Sequence, residues 1–233
     1  RSAAAWFFFA KKIVGFSLEQ DKDGKDHWTV LAQKWSVAFL VVFALSFSLF
    51  SVDFLMSLEP HWFSTIFGVY CFAGLFQSTL ALLTLMALFV QRKGISNGLV
   101  TMEHVHDLAK LTKGFTVFWA YIAFSQFMLI WYANLPEETI FYIHRSHGGW
   151  LVVTLALLVF RFVVPFLALL PRWAKRTPGH LTAVCVLILV MQYVDLYWLV
   201  YPNYTHDFVA FSWMEIGAFL GFMGLFGLAV TRF

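Results

Sequence analysis

The sequence predicts an all-α fold, a polytopic transmembrane helical bundle. Three observations lead there. Hydrophobic residues make up 61% of the 233 positions and charged residues only 12%, where a soluble domain carries about 45–50% and about 25%. The apolar residues fall into runs of about twenty, the length that crosses a bilayer as a helix. These runs are apolar all round and twice as long as barrel strands, and a lipid-exposed backbone must bond to itself, so helices are the form expected.

In chain order, RSAAAWFFFAKK is too short to span and reads as the tail (residues 1–12) of a truncated transmembrane helix, which makes the chain the C-terminal part of a longer subunit. Residues 13–34 form a charged linker, turn-rich around Asp23-Gly24. Six complete spans follow across residues 35–233: Trp35–Met56, Ser64–Val90, Thr112–Ala133, Gly149–Leu170, Leu181–Tyr201 and Val209–Thr231. The segments between alternate spans hold thirteen Lys and Arg on one side and Arg145 alone on the other. That asymmetry places the linker and the C-terminus in the cytoplasm.

The outer ends share one pattern. IWYANLPEE puts Trp131 and Tyr132 at the headgroup belt, stops the helix at Asn134 and Pro136, and turns Glu137 and Glu138 to water. MSLEPHWFST does the same with Glu59, Pro60, His61 and Trp62. These six residues, Glu59, His61, Trp62, Asn134, Glu137 and Glu138, are the candidate contacts for outer-face subunits.

Chemistry is sparse. All eight histidines fall in loops or at span ends, so none is placed to ligate a haem inside the bundle. His104 and His106 of EHVHD are two apart and diverge on a helix, which favours a solvated segment. His144 and His147 could share a face, with interfacial hydrogen bonding favoured over a metal. Cys71 and Cys185 lie in apolar runs and read as packing residues. No metal site and no catalytic residue is expected in this chain.

Intramembrane charge is the sharper signal. Each such residue costs about 2.5–3.5 kcal/mol on insertion scales and normally faces protein or a water-filled cavity. Asp53, Arg161, Asp195 and Glu215 stand out. By helix rise, Arg161 lies about 14 Å and Asp195 about 21 Å from the cytoplasmic ends of neighbouring spans, within reach of an Arg side chain. Asp53 and Glu215 lie nearer the outer surface. The charges either pair to lock helix packing or form a proton-relay or quinone-headgroup cluster, which Gln77, Gln126 and Gln192 would extend. In the last span Gly217, Gly221 and Gly224 share a face that permits close helix contact.

MSLEPHWFSTIFGVY (Met56–Tyr70), EHVHDLAKL (Glu103–Leu111), FWAYIAFSQFMLIWYANLPEE (Phe118–Glu138) and VDLYWLVYP (Val194–Pro202) resemble the second quinone-binding-type membrane subunit of alternative complex III, a bacterial quinol:electron-acceptor oxidoreductase. Its large membrane subunits belong to the polysulfide-reductase/NrfD-like group. The resemblance implies a subunit of about ten spans in the bacterial cytoplasmic membrane. It also implies several partners: a paralogous quinone-binding subunit, an iron–sulfur subunit, multihaem and monohaem cytochrome c subunits, small membrane subunits and lipids, with no nucleic acid. Haem c and iron–sulfur clusters would sit on those partners and none in this chain, with quinone or quinol a candidate ligand; the subunit would scaffold the complex, and polar residues of its bundle would move protons. Two positions depart from the family pattern: Arg161 stands where a His is expected ahead of the apolar-Pro-Phe element, and Ala109 where Gly is usual. The reading from other classes is a secondary transporter or ion channel, or a purely structural membrane subunit.

Overall fold

A computed structural model describes residues 2–94, 98–205, 209 and 212–232. Among these residues every regular element is helical. We number the helices α1 (Ser2–Asp23), α2 (His27–Phe54), α3 (Phe67–Lys93), α4 (Met102–Ala133), α5 (Pro136–Ser146), α6 (Gly148–Ala168), α7 (Pro178–Val200) and α8 (Trp213–Arg232), with 3-10 turns at Met56–Leu58 and Tyr201–Asn203. Five stretches, containing α2, α3, α4, α6 and α7, are long and apolar enough to cross a membrane. The multi-pass, all-helical expectation therefore holds. The sixth span expected at 209–231 is only partly covered: residues 210 and 211 lie outside the described residues, and the apolar stretch described within α8 is Trp213–Ala229.

The chain divides into two compact units, residues 1–50 with 210–233 and residues 51–209. In the first, α1 and α2 form a hairpin. Trp6 donates from Nε1 to Ser46 Oγ at 2.8 Å and packs against Phe43, Phe47 and Phe50, while Phe9 meets Trp35 and Phe39. The expected linker over residues 13–34 is mostly helical: α1 runs to Asp23 and α2 starts at His27. The charged residues there are good helix formers and pair along the helix, as Lys22 does with Glu19 at 2.6 Å. Only Gly24, at φ +67°, breaks the helix, because that left-handed backbone suits a residue without Cβ. Asp23 closes the turn by accepting from Trp28 Nε1 and Lys25 N, each at 3.1 Å, and these bonds hold its carboxyl below the usual range.

In the second unit α3, α4, α6 and α7 form a ring in which α3 packs on α4 and α7, and α6 on α4 and α7. Its interior has two apolar layers. One contains Phe67, Trp119, Phe141, Trp150 and Trp198; the other contains Leu88, Val105, Leu169, Leu181 and Ile188. In the sequence of every ring helix, polar positions fall between them: Gln77, Thr112 and Thr116, Arg161, and Gln192.

The segment 134–148 holds a helix rather than a loop. Asn134 ends α4 in the left-handed region at φ 48°, and Pro136 opens α5. Glu137 and Glu138 fill the first turn of α5, and His144 and Arg145 the last, the arrangement a helix dipole favours. At the far end of α6, Lys175 is buried and donates from Nζ to the carbonyls of Leu169, Leu170 and Pro171 at 2.8–3.1 Å. Burial pushes its ammonium pKa down. Replacing it by Lys175→Met would orphan those helix-end carbonyls. A destabilisation of about 1–3 kcal/mol is expected, read as a lowered thermal unfolding midpoint in detergent.

Candidate functional site

α6 is distorted where its proline requires it. Pro165 has no N–H, and its ring would crowd the carbonyl four residues back in a regular helix. The backbone widens into a π-helical stretch over Leu157–Val163, and the Val164 N–H bonds to Val159 O, five residues back. Wide turns of this kind often mark functional positions. Arg161 sits in the stretch, fully buried.

Every helix of the ring meets this guanidinium. From α7, Asp195 Oδ2 lies 3.0 Å from Nη1, Met191 O accepts from Nη1 at 3.2 Å, and Gln192 Oε1 accepts from Nη2 at 2.6 Å. The Trp119 ring of α4 lies 4.3 Å from the guanidinium carbon. From α3, Tyr70 donates its hydroxyl to the other Asp195 oxygen. Gly74 of α3 leaves the space: a Cβ there would come within 2.7 Å of Nη2 and 2.9 Å of Gln192 Oε1. The expected Arg161–Asp195 partnership is present, and Gln192 belongs to it.

The other candidates lie elsewhere. Gln77 is buried and donates to Thr116 Oγ1 at 3.0 Å. Asp53 is exposed near the end of α2. Glu215 accepts from Ser212 N at 2.6 Å and so caps the start of its own helix. Gln126 lines a cavity of about 670 Å³ between α4, α5 and α6, whose wall also takes in Tyr70 of α3 and Trp198 of α7.

The outer-face candidates separate into two sets. His61, Asn134 and Glu137 are exposed and Glu138 is half-buried, whereas Glu59 and Trp62 turn inward. Trp62 stacks on Phe141 with ring centres 4.0 Å apart. Glu59 Oε2 pairs with Arg145 Nη1 at 3.1 Å, and its other oxygen lies 3.2 Å from His144 Nδ1. Arg145 also donates to Trp198 O, Phe141 O, Leu199 O and Asn203 Oδ1, at 2.8–3.4 Å, and lies 3.6 Å above the Phe141 ring. Burial pulls its pKa down to about 10 against the opposing pull of Glu59. His104 accepts from Thr101 N as part of a capping box that starts α4.

Sequence reasoning missed Tyr70, Gly74, Trp119 and Arg145. Arg145 carried a signal, as the only basic residue on its side. Gly74 carried none, because its role is the space it leaves for a residue 87 positions away.

No protein-family model matches the chain, and no curated protein matches it either.

Breaking a buried ion pair from one side strands a charge and costs about 3–5 kcal/mol, whereas apolar replacement of both partners is often near neutral. Arg161→Met and Asp195→Leu should therefore each destabilise strongly, and the double variant less than either. A double-mutant cycle on detergent unfolding measures this. Gly74→Ala should push Nη2 off Gln192 and lower the unfolding midpoint while leaving the helix content unchanged.

Proposed function

We propose that this chain is a multi-pass membrane subunit of a quinol-oxidising electron-transfer complex, alternative complex III, in a bacterial cytoplasmic membrane. In this reading α8 forms a sixth span. The chain scaffolds the assembly, while haem c and iron–sulfur clusters sit on partner subunits. His61, Asn134, Glu137 and Glu138 face the outer partners, and the paralogous membrane subunit lies alongside.

The observation that carries the reading is the buried Tyr70–Asp195–Arg161–Gln192 chain, an ionisable cluster enclosed by four apolar helices. Intramembrane carboxylates and arginines held this way recur in proton-handling membrane proteins. The family assignment rests on the resemblance over Met56–Tyr70, Glu103–Leu111, Phe118–Glu138 and Val194–Pro202. Asp195 is the proton-handling group of this proposal, with Tyr70 as its hydroxyl partner.

A purely structural reading draws on a specific observation as well. Both Asp195 oxygens and both terminal Arg161 nitrogens already have partners within the chain, which suits a packing lock.

The test is purification of the native assembly through this subunit. Absorbance of c-type haem and iron–sulfur electron paramagnetic resonance should co-purify, and their absence would remove the complex-subunit reading. Asp195→Asn in the assembled complex should lower the rate of quinol-driven proton release by about tenfold or more. Unchanged turnover and proton release with assembly intact would leave the structural role alone.

A further inference from the structure

Cations gather where the first turns of α4 meet the end of α6. Lys110 and Lys113 stand on α4, and Arg172, Lys175 and Arg176 follow α6. The two acids of these segments are already taken, Asp107 by Lys110 at 2.6 Å and Glu103 by Arg176. Among the described residues no carboxylate pairs with Lys113, Arg172 or Lys175.

Lys175 ties the corner together. Its Nζ bonds to Pro171 O at 3.1 Å, the carbonyl just before Arg172, and to two further helix-end carbonyls. All three of its donors are therefore spent within the chain, and what it adds outward is charge alone. Burial lowers its pKa most, and the nearby Lys113 and Lys110 lower it further. Like charges held this close repel one another, and an anion from outside relieves the repulsion.

Lys113 is the cation placed to receive that anion. It is half-buried, with Nζ 5.5 Å from the centre of the Phe166 ring on α6, so it is held between the two helices. A ring face takes up the charge but none of the three N–H donors. Around it the surface is apolar: Leu111, Leu167 and Leu170 are each more than half exposed. Trp173, 62% exposed, lies beside the His180 ring at 5.4 Å, and tryptophan favours the headgroup level of a membrane. A free phosphate ion or an acidic soluble segment would use the charge and leave the apolar surface bare. A phospholipid uses both.

We infer that the corner between α4 and the end of α6 binds an anionic phospholipid. Its phosphate accepts from Lys113 Nζ and from the exposed Arg172 guanidinium, and its acyl chains lie against Leu111, Leu167 and Leu170. Lys175 strengthens the attraction from beneath without touching the phosphate. The inference rests on the multi-pass helical fold and not on the assembly to which the chain belongs.

The test titrates lipid into the full chain in neutral maltoside micelles and counts bound lipid by native mass spectrometry. Dioleoyl phosphatidylglycerol should bind about fivefold or more tightly than dioleoyl phosphatidylcholine, which has the same chains and phosphate but no net charge. Lys113→Gln and Arg172→Gln should each weaken phosphatidylglycerol about fivefold, the contribution of one Lys or Arg at a membrane surface. Lys93→Gln, which removes an exposed charge at the end of α3, should leave that affinity within about twofold. Equal binding of the two lipids overturns the inference, as does an unchanged affinity in either the Lys113 or the Arg172 variant. An equal loss in the Lys93 variant overturns it too, by showing a diffuse field instead of a site. So does displacement of phosphatidylglycerol by excess inorganic phosphate, which shows a free-anion site. Should a variant fail to fold, the preference of the unmodified chain between the two lipids decides alone.

Discussion

A guanidinium inside an apolar bundle has to be neutralised and hydrogen-bonded by protein, and the second unit of this chain is arranged around that requirement at Arg161. Part of the solvation lost on burial is returned by Asp195, Gln192 and the Met191 carbonyl at the two terminal nitrogens, with the Trp119 ring against the cation, while Nε meets no acceptor among the described residues. With Arg161 itself on α6 and with Tyr70 and Gly74 included, the cluster draws on all four helices of the ring. Such a cluster adds little net stability, because desolvation offsets most of the Coulombic gain. It narrows the alternatives instead: a ring helix rotated or shifted by one residue would strand a charge in a low-dielectric interior.

Arg145 solves a related problem at the end of α7. Pro202 has no N–H to give the Trp198 carbonyl four residues before it, and Arg145 Nε donates there. Its Nη2 donates to the next carbonyl, at Leu199. The last turn of α7 is thereby closed by a cation from α5, at the helix end where a positive charge is favoured. Glu59 balances that cation and ties the 56–62 segment to α5. Two prolines, Pro165 and Pro202, thus each sit beside an arginine environment, one through a widened helix and one through a side-chain cap.

The apolar runs made the helices legible, since a run of about twenty apolar residues permits little else. The Arg161–Asp195 pair was legible too, because helix rise converts residue number into depth. Features that depend on neighbouring helices were not. α5 is short, carries few apolar residues and looks like a polar loop until Pro136, the two acids and Arg145 are seen as its ends. Glu59 and Trp62 read as surface residues by composition, and only the fold brings Arg145 and Phe141 over them. The charged segment around Asp23 read as a linker because charge was weighed above helix propensity, and a single glycine proved to be its only break. His104 reads as part of a solvated segment and is a cap, since Thr101 stands three residues before it.

The ion pair and the cavity share two rings. Tyr70 lines the cavity and donates its hydroxyl to Asp195; Trp119 lines it and lies against Arg161. Anything that fills the cavity presses on the side chains that fix both members of the pair. The hydrogen bond from Tyr70 is directional, so the position of its ring and that of the Asp195 carboxylate are tied to each other. Packed interiors transmit such displacements because they contain few voids to absorb them. The cavity and the ion pair are therefore joined by two aromatic side chains and not by a polar path.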